Sequence, residues 1–105
     1  MIFMSYFDEK ELATIGFKKV GKNVKVSRKA SIYNPELMEL GDFCRIDDFC
    51  VISGAIVFGK FVHVTPMCLL AGGTPGLSIG DFSTFAYGVK IFTQSDDYSG
   101  DTMCN

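Results

Sequence analysis

The chain has 105 residues, 48% of them hydrophobic, and its ten Lys and Arg against twelve Asp and Glu give a formal charge of −2. That length suits one domain, and the mild acidity argues against a nucleic-acid partner or a basic membrane-binding patch. No basic segment leads into a long apolar run, so neither a signal peptide nor a membrane span is expected.

Residues 1–19 stand apart as a helical cap. Asp8 and Glu11 make a capping box, Leu12, Ala13 and Ile15 supply a short apolar face, and Gly16 is a stop, which predicts a helix over Glu9–Ile15. Phe3, Phe7 and Phe17 are placed to help close that end. A solenoid needs such a lid, because a bare terminal coil exposes backbone groups and core side chains.

Residues 20–105 form the second unit, governed by a repeat. Val20-Gly21-Lys22-Asn23-Val24, Leu40-Gly41-Asp42-Phe43-Cys44, Phe58-Gly59-Lys60-Phe61-Val62 and Ile79-Gly80-Asp81-Phe82-Ser83 recur every 18 to 21 residues. Between them, apolar residues step by six: Val20, Val26, Ile32; Leu40, Ile46, Ile52; Phe58, Val64, Leu70; Ile79, Phe85, Ile91. Six residues make one short strand and one corner, and three such units close a triangular coil of about 18 residues. The leading aliphatic points inward, and the residue four places on is inward and small. The glycine after the aliphatic is expected to supply a left-handed turn conformation. The two departures from spacing six, at 34–39 and 72–78, fall between coils and are expected to bulge outward. The fold class read from this is all-β: a parallel β-helix of about four coils with a short N-terminal helix.

Cys44, Cys50 and Cys68 occupy the small inward slot, where cysteine acts as a small hydrophobe, and Cys104 lies outside the repeat. Buried reduced thiols suit a cytoplasmic protein. No Cys-x-x-Cys exists and the cysteines address different walls, so no metal site is expected.

Over residues 20–95 the pattern resembles the hexapeptide-repeat acyltransferases, which fold as a left-handed parallel β-helix. The resemblance implies acetyl-CoA as co-substrate, a sugar or similar hydroxyl as acceptor, and a trimer with the active site between subunits. It also implies further coils after Ile91, so the chain reads as the N-terminal half of a sugar O-acetyltransferase, apparently truncated, with activity weakened or lost. An open last coil, residues 79–95, is then expected to be covered by another copy through stacking or segment exchange.

Acyl transfer needs a base for the acceptor and donors for the developing oxyanion. The base in this family is usually histidine. Here the one histidine is His63, placed at an outward corner of the third coil, where it serves as catalytic base or else as an ordinary surface or interface residue. The loop Ser95-Asp96-Asp97-Tyr98-Ser99-Gly100 resembles the outward loop that carries the histidine in sugar O-acetyltransferases. Its matching slot holds Asp96, a poor base when facing water. Asp96, Asp97 and Tyr98 are therefore assigned to substrate binding, with Asp96 or Asp97 binding a sugar hydroxyl or orienting a neighbouring chain's histidine; the alternative is a solvated polar loop or a helix-capping turn without chemistry. Gly72-Gly73-Thr74-Pro75-Gly76 lacks the Lys-Ser/Thr ending of a phosphate-binding loop. Asp47-Asp48 are read as outward carboxylates on a solvent or subunit face. Phe43, Phe61 and Phe82 are expected to stack as an exposed column, which points to a subunit interface. A zinc enzyme of this architecture is set aside, since one histidine per chain does not supply three ligands unless three copies meet on an axis. The alternative to an enzyme is a non-catalytic oligomerising β-helix module.

Overall fold

The computed structural model describes residues 5–93. Helix α1 (Glu9–Ile15) is followed by ten strands: β1 (Lys19–Val20), β2 (Lys25–Val26), β3 (Ser31–Tyr33), β4 (Met38–Leu40), β5 (Arg45–Ile46), β6 (Val51–Phe58), β7 (His63–Val64), β8 (Leu69–Ile79), β9 (Thr84–Phe85) and β10 (Lys90–Phe92). A 3-10 turn at Pro35–Leu37 lies between β3 and β4. Every strand pairs in parallel with its equivalent one coil away. The result is a left-handed parallel β-helix of about four turns.

The three walls follow from the registers. Lys19 faces Glu39, Glu39 faces Val57 and Val57 faces Ser78 on the first wall. Lys25, Arg45, His63 and Thr84 stand in line on the second. Ser31, Val51, Leu69 and Lys90 do so on the third. β6 and β8 run through the corner between the third and first walls without a break: β6 pairs β3 with its first half and β4 with its second. The insertion at 72–78 therefore sits inside β8. Pairing jumps from Gly54↔Gly72 to Ile56↔Leu77, so three extra residues are absorbed as an irregularity with the ladder intact on both sides.

The core is largely the predicted set, except that Ile32 is only partly buried and Met38, in the 34–39 segment expected to bulge outward, is fully buried. Val26, Leu40, Ile46, Ile52, Phe58, Val64, Leu70 and Ile79 are buried, and so are the small-slot residues Val24, Cys44, Cys50, Ile56, Val62 and Cys68. Burial weakens where a coil has a neighbour on one side alone. Val20 is exposed in the first coil, while Phe85 and Ile91 in the fourth are partly buried. Phe7, Ile15 and Phe17 pack against the core from the helical end, and Leu12 is buried there.

The repeat glycines have a different reason from the one expected. Gly21, Gly41, Gly59 and Gly80 do not take positive φ. A Cβ on Gly41 would lie 2.4 Å from the Gly59 carbonyl oxygen, and one on Gly21 would lie 2.3 Å from Asp42 Oδ1. At Gly21, Gly41 and Gly59 glycine is required because consecutive coils approach too closely for a side chain, whereas a Cβ on Gly80 would meet nothing within 4 Å. The left-handed conformation falls two residues later, on Asn23, Phe43, Phe61 and Phe82, at φ of 53 to 62°.

Candidate active site

The clearest assembly of polar side chains lies at the corner after the second wall. The N-terminal arm enters it: Tyr6 forms an antiparallel bridge with Ser27, and Phe7 N donates to the Val26 carbonyl at 2.9 Å. Behind the arm sits Asp47, 1% exposed. Tyr6 Oη donates to Asp47 Oδ1 at 3.0 Å, Arg45 Nε donates to the same oxygen at 2.9 Å, and His63 Nε2 lies 2.6 Å from Oδ2. Next to it, Asp48 is buried and accepts from the fully buried Ser27 hydroxyl.

The expectation for Asp47 and Asp48 is thereby corrected: both are inside. The arm laid over the corner shuts water out, and a buried carboxylate survives when hydrogen-bonded donors surround it. Burial pushes the Asp47 carboxyl upward, but hydrogen bonds from His63, Arg45 and Tyr6 outweigh it and hold the group below the usual carboxylate range. Asp47 is therefore ionised at neutral pH. An ionised carboxylate accepts, so His63 donates its Nε2–H to Asp47 Oδ2 and turns Nδ1 away from the carboxylate. Nδ1 has no hydrogen-bond partner among the described residues.

His63 lies on β7, on the outer face of the second wall, with Arg45 one rung below and Thr84 one rung above. Its side chain is 34% exposed, so it is reachable from outside while anchored from within. The sequence placed it outward and missed its partner. A signal was present: reading corner residues coil by coil gives Ser27, Asp47 and Thr65, three hydrogen-bonding side chains in one column. Tyr6 carries no such signal, since it lies before the repeat. Asp96, Asp97 and Tyr98 lie outside the described residues, as does Cys104.

The phenylalanine column is present. Phe43 and Phe61 stack with centroids 4.8 Å apart and Phe61 and Phe82 at 5.2 Å, each pair within 5° of parallel. The three rings are 47, 46 and 75% exposed, leaving their outer edges bare. Among the described residues no group of three or more His, Cys, Asp or Glu is placed to hold a metal, and no helix is long and apolar enough to cross a membrane.

No protein-family model matches the sequence. A dTDP-4-amino-4,6-dideoxy-D-glucose acyltransferase from Escherichia coli is 38% identical over 97% of this chain and 54% of its own length. AntD, an N-acyltransferase from Bacillus cereus solved with dTDP and 3-hydroxybutyryl-CoA, is 39% identical over 98% of this chain and 55% of its own, with a TM-score of 0.87. A serine-to-alanine variant of AntD, solved with dTDP-4-amino-4,6-dideoxyglucose and coenzyme A, gives 40% identity and the same TM-score. The chain thus spans about half the length of the relatives it matches. In repeat, fold and sequence, it resembles part of a hexapeptide-repeat sugar acyltransferase.

Proposed function

We propose that this chain works as part of an acyl-CoA-dependent acyltransferase whose acceptor is an amino sugar carried on a nucleoside diphosphate. The observation that carries the reading is 38% identity across nearly the whole chain to an acyltransferase of such a sugar. The family resemblance pointed to acetyl transfer onto a hydroxyl. Both relatives are named for amino-sugar or N-acyl chemistry, so nitrogen replaces oxygen as the accepting atom. The acyl group need not be acetyl, since AntD was solved with 3-hydroxybutyryl-CoA.

In this reading His63 is the base. The sugar amine attacks the thioester carbonyl, a C–N bond forms, and the C–S bond breaks to release the coenzyme A thiolate. His63 Nδ1 takes the proton shed by nitrogen and returns it to sulfur. Asp47 holds the tautomer and stabilises the imidazolium, as a buried carboxylate does for a catalytic histidine. Asp96, Asp97 and Tyr98 are assigned to the acceptor. The Phe43–Phe61–Phe82 column is assigned to contact with another copy, a trimer being the assembly the family resemblance implies. We assign the reaction to the cytoplasm, as the buried reduced thiols and an acyl-CoA co-substrate suggest.

The test is release of free thiol from acetyl-CoA or 3-hydroxybutyryl-CoA with dTDP-4-amino-4,6-dideoxyglucose present. Acceptor-dependent release that His63→Gln abolishes supports the assignment. Release that survives His63→Gln and dies with Asp96→Asn or Asp97→Asn moves the base to that loop. No release above the protein-free rate, with no heat of binding for either ligand, sinks the enzymatic reading. The bare phenylalanine column then favours the non-catalytic oligomerising module.

A further inference from the structure

The N-terminal arm is seated on the corner after the second wall by ties that do not involve the Tyr6 hydroxyl. Phe7 N donates to the Val26 carbonyl and Arg28 N to the Ser5 carbonyl, both at 2.9 Å. The Arg28 guanidinium donates to both carboxylate oxygens of Glu11 and to the Ser5 hydroxyl, and its Cζ stands 5.2 Å from the Phe7 ring centroid. The Phe7 ring packs on the core. Tyr6→Phe would leave every one of these contacts in place. What the hydroxyl adds is its bond to Asp47 Oδ1, 41 residues along the chain. Burial and that same bond push the phenol above its usual range, so it keeps its proton and donates at neutral pH.

A carboxylate bonded by a single donor turns readily about its Cβ–Cγ bond, because that torsion is soft, and it can offer either oxygen. Asp47 is held twice on one oxygen. Arg45 Nε reaches Oδ1 at 2.9 Å from the second wall, and Tyr6 Oη reaches it at 3.0 Å from the arm. Two donors occupy the two lone-pair directions of Oδ1 and fix the plane of the group, which leaves Oδ2 for His63 Nε2 at 2.6 Å. Lys25 Nζ and Arg45 Cζ stand over the Tyr6 ring, 5.6 and 5.8 Å from its centroid, and hold the ring where its hydroxyl meets Asp47. A side chain that must point at a reacting atom loses rate when its support is loose, so the second donor matters most if His63 does chemistry.

We propose that Tyr6 is a positioning residue: delivered by the arm, it completes the hold on Asp47 Oδ1 and thereby fixes the direction in which the His63 imidazole faces the outer side of the second wall. Where turnover is concerned, the inference rests on the preceding reading of His63 as the base. It gives the arm, which lies outside the repeat, a part in the site in addition to closing the first coil.

Tyr6→Phe, which deletes one hydroxyl and keeps the ring, is compared with the wild type in the full chain. The chain has one histidine, so heavy-nitrogen labelling of the histidine ring gives one pair of resonances, recorded without substrate. Solvent exchange of the His63 Nε2–H quickens about tenfold in Tyr6→Phe, and where turnover is measured kcat falls about tenfold while KM stays within about twofold. The amides of Phe7 and Arg28 remain protected from exchange, because the arm keeps its main-chain bonds. Glu11→Gln serves as comparator: it breaks the ion pair with Arg28, lowers stability and leaves the His63 signal where it was. An unchanged His63 signal in Tyr6→Phe overturns the proposal. So does an equal change in Glu11→Gln, which marks general loosening, and so does loss of protection at Phe7 and Arg28 in Tyr6→Phe, which makes the hydroxyl a structural tie. A changed signal with unchanged turnover upholds the positioning and removes His63 as base, so the two readings fail separately.

Discussion

Replacing Asp47 by Asn tests the polar cluster most directly. The carboxylate receives three donors on two oxygens, Tyr6 and Arg45 on Oδ1 and His63 on Oδ2. Asparagine offers one oxygen and one NH2. If its oxygen serves Tyr6 and Arg45, its NH2 faces His63 Nε2, and the two N–H groups clash until His63 moves its proton to Nδ1. The variant loses a charge-assisted bond to Arg45 and the ionic part of the His63 bond. Together these cost about 2–3 kcal/mol, against about 3–5 kcal/mol for Asp47→Ala, which leaves buried donors bare. At about 4–8 °C per kcal/mol for a domain of this size, Asp47→Asn lowers Tm by about 10–20 °C. Circular dichroism melts and urea titrations measure the loss, and the imidazole nitrogen shifts of His63 report the tautomer. The pH dependence has a definite sign. The folded-state pKa of Asp47 is lowered, so its stabilisation is complete above the ordinary carboxylate range and disappears as pH falls through the lowered value. The gap between wild type and Asp47→Asn therefore narrows in acid. A variant within about 0.5 kcal/mol of wild type at neutral pH, with the His63 tautomer unchanged, refutes the reasoning.

Two glycines of the same repeat position separate coil contact from turn conformation. Gly41→Ala sets a Cβ 2.4 Å from the Gly59 carbonyl and costs about 1–3 kcal/mol, whereas Gly80→Ala meets nothing within 4 Å and stays within about 0.5 kcal/mol of wild type in urea titrations. Equal costs at the two sites contradict the close-approach argument. Gly54→Ala suffers more than either, because its φ is +84° and its Cβ would meet the Gly72 oxygen at 1.7 Å; loss of soluble folded chain is the expected outcome. Burial pushes the Cys44 thiol up to about 12. In a Cys104→Ser background its alkylation by iodoacetamide should follow global unfolding rather than thiol chemistry, and labelling at the rate of a free cysteine contradicts the buried slot.

The spacing of apolar residues disclosed the coil, its three walls and the core, because a side chain repeated every six residues has one place to go in a triangular helix. The helical cap was legible for the same local reason, Asp8 and Glu11 bonding reciprocally as a capping box. What the sequence hid was whatever depends on contact between coils. Gly21, Gly41 and Gly59 looked like turn residues, yet their role is set by the coil above. Asp47 looked solvated because local hydrophobicity is silent about an arm folding back from Tyr6, 41 residues away. His63 was identifiable as a candidate by residue type alone. Its orientation through Asp47 needed the 18-residue register that sets Arg45 beside it.

The phenylalanine column raises an energetic question that the single chain does not answer. A non-glycine residue in the left-handed region costs about 1–2 kcal/mol, so Phe43, Phe61 and Phe82 together cost about 3–6 kcal/mol. The two ring stacks return about 0.5–1.5 kcal/mol each. Asn23 occupies the equivalent corner of the first coil and tolerates that conformation more easily. A monomer therefore gains little from three phenylalanines there. Burying a ring against another copy adds about 1.5–3 kcal/mol, enough to reverse the balance. Phe61→Gly tests this by relieving the strain, deleting both stacks and removing the central ring at once. Its monomer should unfold within about 1 kcal/mol of wild type, since the gain and loss nearly cancel. Sedimentation should show the wild type as an oligomer and the variant as a monomer. The wild-type melt should shift with protein concentration while the variant's should not. A wild type that sediments as a monomer, with a melt independent of concentration, removes the partner from the account and leaves the strained column without compensation.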